Sequence, residues 1–127
     1  MPSNLDAPGG LVVIGDDGAV LGSVSWIYLQ WGPNASSRSP MIGIWLRPEA
    51  RGKGFGTEAQ AALIDLLFRH THANRIEAHT DVDNLAEQRS LEKAGLVREG
   101  TVRGGQWRDG AYRDGYLYSI LRAEWRA

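Results

Sequence analysis

The sequence predicts an α/β fold: a mixed sheet carrying two main helices, in the order βββαβαββ. Three observations predict it. Short β-branched and aromatic runs, punctuated by glycine and turn residues, fill the first third of the chain. Two stretches of helical periodicity follow, separated by a short strand-like run, and two more strand-like runs close the chain. At 127 residues, 43% hydrophobic and 23% charged, the chain can build one core and has no room for a comfortable second. Residues 1–127 therefore read as a single domain, without internal repeats or low-complexity tracts.

Leu11 to Gly15 is apolar and β-branched, and reads as the first strand. Asp16-Asp17-Gly18 is a turn signal in which Gly18 supplies positive φ. Val20 to Trp31 reads as a second strand, rich in aromatics (Trp26, Tyr28, Trp31), so the two form a hairpin. Pro33 to Pro40 reads as a polar loop. Met41 to Leu46 is a third strand, stopped by Pro48. In Thr57 to His70, Ala59, Ala62, Leu63, Leu66 and Leu67 recur at helical spacing, and Arg69 and His70 suit the negative end of the helix dipole. Arg75 to Thr80 is a short strand. Asn84 opens a second helix, with Glu87 three residues on as a capping box and Gly95 as the stop. Leu96 to Val102 and Tyr116 to Leu121 read as a final antiparallel pair.

Composition excludes several functions. Fourteen Lys and Arg against fifteen Asp and Glu give a net charge of -1, which argues against a whole-surface grip on nucleic acid. There is no cysteine, hence no disulfide, thiolate metal site or cysteine nucleophile. No apolar run approaches the ~20 residues of a membrane span. Met1 to Gly10 lacks a signal-peptide pattern, so a soluble cytoplasmic protein is expected.

The richest segment is Met41 to Thr57, MIGIWLRPEARGKGFGT. A strand ends, a glycine-rich loop follows (Arg51, Gly52, Lys53, Gly54, Phe55, Gly56), and a helix starts at once. The first turn of a helix carries unpaired N–H groups and the positive dipole end, and glycines let the backbone close on a phosphate. A diphosphate is the natural ligand. The spacing fits neither the P-loop nor the dinucleotide fingerprint. It fits [Arg/Gln]-x-x-Gly-x-[Gly/Ala], with Arg51, Gly54 and Gly56. That is the acetyl-CoA loop of the GNAT acetyltransferases, and IGIWLRPEARGKGFGTEA closely resembles their RimJ/RimL branch. Downstream, NLAEQRSLEKAGL (Asn84 to Leu96) is similar to that branch's second motif. Arg113-Asp114, Tyr118-Ser119-Ile120 and Trp125 are similar to its last strand. The likeness covers roughly Gly22 to Trp125.

The resemblance implies a mostly antiparallel sheet in which Met41–Leu46 and Arg75–Thr80 are parallel and splay apart around acetyl-CoA. It implies backbone bonds from Trp45, Leu46 and Arg47 to the pantetheine arm, and N–H groups from Arg51, Gly52, Lys53, Gly54, Phe55, Gly56 and Thr57 to the pyrophosphate. It places Asn84 against the pantetheine. The implied reaction is direct attack of a primary amine, on a protein N-terminus or a small molecule, on the thioester, with no metal. Each residue also has a plainer role: Asn84 as an N-cap, Trp45 as core, Lys53 as a surface charge, Glu77 and His79 as a solvent-facing polar pair.

Three departures qualify the resemblance. The family's acid, a tyrosine on the second helix, falls at Leu91. Glu87 stands where the branch commonly has serine, and its proposed glutamate base falls at Gln106, an amide that takes no proton. Proton transfer is left to Ser90, Tyr118, Glu77, His79 or solvent. The strand and two helices that usually precede the hairpin are also missing, which leaves an edge at Leu11–Gly15 for a second copy of the chain. A degenerate module that holds CoA or acyl-CoA without turnover is the alternative expectation.

Overall fold

A computed structural model describes residues 5–125; the ends of the expected domain, 1–4 and 126–127, lie outside the described residues. Six strands and two helices follow the expected order. They are β1 (Gly9–Ile14), β2 (Val20–Gln30), β3 (Arg38–Leu46), α1 (Phe55–His70), β4 (Arg75–Asp81), α2 (Leu85–Lys93), β5 (Val97–Arg108) and β6 (Ala111–Leu121). The sheet runs β1-β2-β3-β4-β6-β5, and among the described residues only β3 and β4 are parallel.

That parallel pair is short. Met41 stands opposite Glu77 and Ile42 opposite Ala78, and the ladder ends there. Beyond it β3 stays with β2 as far as Leu46, and β4 stays with β6 as far as Asp81. Each strand follows its antiparallel partner, so the sheet opens into a V between Gly43–Leu46 and His79–Asp81.

Both helices cover one face of the sheet. Leu63, Ile64, Leu67 and Phe68 of α1 and Leu91 of α2 pack on Trp26, Ile42, Ile76, Tyr118 and Ile120. Full burial of each such side chain is worth ~1.5–3 kcal/mol. The alternation of the strands puts Ile27, Trp45 and Val12 on the opposite face, each about half exposed or more. Chain ends tie into the helix side: Trp26 Nε1 donates to Ala7 O at 2.8 Å and Tyr28 Oη to Leu5 O at 2.7 Å. Arg122 donates to the carbonyls of Phe68, Thr71 and Ala73 at 2.8–2.9 Å, capping the end of α1 and the turn after it.

Several boundaries differ from expectation. β3 begins at Arg38, because Arg38, Ser39 and Pro40 pair with Gln30, Leu29 and Tyr28; the polar loop is shorter than its composition suggests. α1 begins at Phe55, because Gly54 takes a left-handed conformation (φ 86°) and turns the chain straight into the helix. The last hairpin is longer than its apolar stretches, since β5 is almost wholly exposed and Asp109-Gly110 closes it with φ of 53° and 79°. The capping box is half formed. Asn84 Oδ1 accepts from the Glu87 N–H at 3.1 Å, but the Glu87 carboxylate turns away to α1.

Candidate functional site

The site is built around the V. Along β3, Arg47 N–H donates to Leu21 O at 2.8 Å, so the backbone groups of Gly43, Trp45 and Arg47 face β2. Those of Ile44 and Leu46 face the opening by alternation. Arg51 Nε already bonds the Leu46 carbonyl at 3.0 Å, which pins the loop to the strand end. Of the three residues expected to bond a pantetheine arm, Leu46 alone turns its backbone into the opening, and Ile44 joins it. Trp45 is 54% exposed on the helix-free face, so it is not a core residue. Arg47 extends its side chain instead, donating from Nε to Val20 O at 2.8 Å.

The glycine-rich loop joins β3 to α1. Gly52 and Gly54 have φ of 74° and 86°, and nothing lies within 4 Å of where a Cβ would stand on either. The bend aims the 16-residue α1 into the mouth of the V. The N–H groups of Phe55, Gly56 and Thr57 have no helical acceptor, and Gly54 has no side chain to cap them. They present the positive dipole end, with Arg51 and Lys53 alongside. The space a Cβ would fill on Gly56 lies 3.5–3.7 Å from Ser90 Oγ, Leu46 Cδ1 and Ile44 Cδ1. Lys53, Arg47 and Phe55 also line a cavity of about 450 Å³ on the β2 side of the loop.

A polar seam joins the two helices beneath the opening. Thr57 Oγ1 and Ser90 Oγ are 3.0 Å apart, and Gln60 Nε2 donates to Glu87 Oε2 at 2.8 Å. Burial pushes the Glu87 carboxyl above its ordinary value, and the bond from Gln60 offsets only part of this. Gln60 Oε1 is buried without a partner.

On the helix-free face the strands assemble a second cluster. Glu77, the last residue but one before the V opens, has no exposed side-chain surface. Its carboxylate accepts from Trp31 Nε1 at 2.7 Å and Arg75 Nε at 3.2 Å, and lies 3.2 Å from His79 Nε2. Burial raises its pKa, but the bonds from His79, Trp31 and Arg75 together outweigh this and hold the group below the ordinary glutamate range. The expected solvent-facing pair is therefore wrong for Glu77: Trp31 and Arg75 close over it. Arg75 reaches on to Glu99 at 2.9 Å, and Trp31, Arg75, Glu99 and Leu117 help line a cavity of about 500 Å³.

One expected residue, Tyr118, and the position of the family's acid, Leu91, are buried away from the opening. Tyr118 is fully buried in the core and its hydroxyl donates to Glu92 at 3.0 Å. Burial first, then that carboxylate, raise its pKa, so its proton is held firmly. Leu91, in the family's acid position, is core with no exposed surface. Trp31, Arg75, Glu99 and Gln60 were not singled out from the sequence. The only signal was the alternation of Arg75, Glu77 and His79 on one face of β4.

The family model for the acetyltransferase (GNAT) domain matches residues 3–97. The chain belongs to the GNAT acetyltransferases. Among curated GNAT relatives, the uncharacterised N-acetyltransferase YnaD of Bacillus subtilis is 27% identical over 90% of this chain and 64% of its own. The probable N-acetyltransferase YjcK of the same organism is 35% identical over 68% of this chain and 45% of its own. The chain thus spans less than two thirds of these relatives. Among solved structures, spermidine N-acetyltransferase from Vibrio cholerae in complex with CoA and spermine superposes with a TM-score of 0.81 at 27% identity, covering 93% of this chain and 68% of that one. Mycobacterium smegmatis RimJ in complex with CoA-disulfide gives a TM-score of 0.75 at 29% identity, covering 85% and 50%. The GNAT architecture is therefore present from β1 to β6, with the parallel pair splayed as the resemblance implied.

Proposed function

We propose that this GNAT domain moves an acetyl group from acetyl-CoA to a primary amine by direct attack. The observation that carries the proposal is the V in the sheet with the bare first turn of α1 at its mouth. Phe55, Gly56 and Thr57 offer N–H groups to the pyrophosphate, and the left-handed Gly52 and Gly54 hold the loop back to make room. Arg51 and Lys53 add charge at the rim. Ile44 and Leu46 turn backbone groups toward the pantetheine, as a strand would, although the Leu46 carbonyl is already bonded by Arg51. Asn84 caps α2 and faces the same arm. Thr57 and Ser90 place a hydroxyl pair beneath the opening, and Glu77 fixes a negative charge on the face from which an ammonium arrives. The chemistry needs proximity and proton transfer.

The amine named for the Vibrio neighbour, spermine, and a peptide with a free N-terminus are the first acceptors to try. Calorimetric titration with acetyl-CoA is expected to show binding that Arg51→Ala combined with Gly54→Ala weakens by at least tenfold, since a charge and a helix start are lost together. Thiol release with either amine then marks turnover. Binding without thiol release on a broad amine panel would leave a CoA-holding module. No binding by the folded chain would remove the proposal. The same reading includes pairing of two copies along β1, an outer strand of the sheet.

A further inference from the structure

The arrangement around Glu77 points to His79 as the general base for the amine, with Glu77 as its positioning residue. This rests on the acetyl-transfer reading and deepens it. The last rung of the parallel ladder joins Ile42 and Ala78, so His79 is the first residue of β4 beyond the split. Its ring stands on the face opposite α1 and α2, with 29% of the side chain exposed. The helix face is where the α1 N-terminus takes the cofactor, so the acceptor amine approaches the thioester from the other side, past His79.

The geometry gives the two residues different jobs. Glu77 is sealed by Trp31 and Arg75 and has no surface of its own, so no substrate proton reaches it. His79 Nε2 is spent on Glu77 Oε1 at 3.2 Å, which fixes the tautomer: Nε2 carries the hydrogen and Nδ1 is left as the basic atom. A buried carboxylate behind an imidazole holds the ring in place and stabilises the imidazolium, as in catalytic triads. The charged groups around the dyad are Glu77 and Arg75 on β4, Glu99 from β5, and Asp81 at the end of β4, which Arg108 of the last hairpin meets at 2.6 Å. Arg75 sits between Glu77 and Glu99, and Arg108 neutralises Asp81. Glu77 is left as the charge aimed at His79.

In the step, His79 Nδ1 takes one proton from the ammonium. The freed nitrogen lone pair attacks the thioester carbonyl and the C–N bond forms. The tetrahedral intermediate collapses, the C–S bond breaks and its electron pair leaves on sulfur. The nitrogen loses a second proton to solvent, and the thiolate takes one back. The balance is one ammonium and one thioester in; one amide, one thiol and one proton out.

The test uses two acceptors near neutral pH: spermine, which arrives protonated, and hydroxylamine, which does not need a base before attack. His79→Gln is expected to lower kcat/KM for spermine by ~100-fold or more, in the range of lost general-base catalysis. It should abolish the acidic limb of the pH profile, cost hydroxylamine turnover less than tenfold, and leave CoA affinity unchanged in calorimetry. Glu77→Gln should lower kcat for spermine while leaving its KM unchanged, because the carboxylate that holds the His79 ring in place is lost. A His79→Gln enzyme that keeps the wild-type rate and limb with spermine overturns the assignment. Equal losses for both acceptors would make His79 a structural residue and overturn it too. No thiol release by the wild-type chain with either acceptor or across the amine panel would end the acetyl-transfer reading itself, a result separate from either of these.

Discussion

Two carboxylates on opposite faces of the sheet shift in opposite directions, and each makes a testable statement about stability. Glu87 sits in the α1–α2 seam with one neutral partner, so its folded pKa lies above the ordinary value near 4.5. The folded chain then binds a proton more tightly than the unfolded one. Stability is greatest below that ordinary value and falls as pH rises through the folded pKa. Glu87→Gln, which keeps a partner for Gln60, should raise the Tm by ~2 °C at neutral pH and give no gain near pH 4. Glu77 is the reverse, held below 4.5 by His79, Trp31 and Arg75 against its burial. Its contribution is present above 4.5 and is lost as pH falls through its folded pKa. Glu77→Gln should therefore melt lower than wild type at neutral pH, with the gap closing in acid. Thermal melts of both variants across pH check both signs, and a Glu87→Gln chain that melts lower at neutral pH would contradict the first.

At the scale of elements, the helices and inner strands were legible and the site was legible in part. Apolar periodicity marked α1, and the turn residues Asp16-Asp17-Gly18 marked the first hairpin. The β5–β6 hairpin was read short because its outer half faces water on both sides and has no hydrophobic alternation to read. The turn from Arg51 to Gly56 was legible because its shape is made by consecutive residues. Glu77 was misread because Trp31, 46 residues away in the chain, closes over it, and Glu99 of β5 draws Arg75 across it. The end of α1 depends on a similarly remote residue. Arg122 holds three carbonyls around α1's terminus, and charged hydrogen bonds of this kind contribute more than neutral ones. Arg122→Ala should lower stability by about 2–3 kcal/mol, read as the midpoint shift in urea at constant slope.

For the whole molecule, one face of the sheet is dressed with helices and the other is largely bare. β1 ends the sheet with Val12 and Ile14 more than half exposed. Among the described residues β1 is an edge strand, and such an edge is a template for a second copy. If two chains pair there, light scattering should give a dimer at high concentration, and Val12→Lys should return it to a monomer without lowering CoA affinity. A monomer at every concentration would remove the pairing.

The sequence by itself determined the order of strands and helices, the glycine-rich turn into α1 and the family. These rest on local patterns: side-chain periodicity, the positive φ that only glycine takes readily at Gly52 and Gly54, and the orphan N–H groups that open any helix. The tertiary structure alone decided which backbone groups of β3 face the opening, that Tyr118 and Leu91 belong to the core, and that Glu77 stands sealed behind His79. Burial and protonation depend on what other strands bring alongside. The Trp31 and Glu99 groups around Glu77 come alongside only once the sheet has formed.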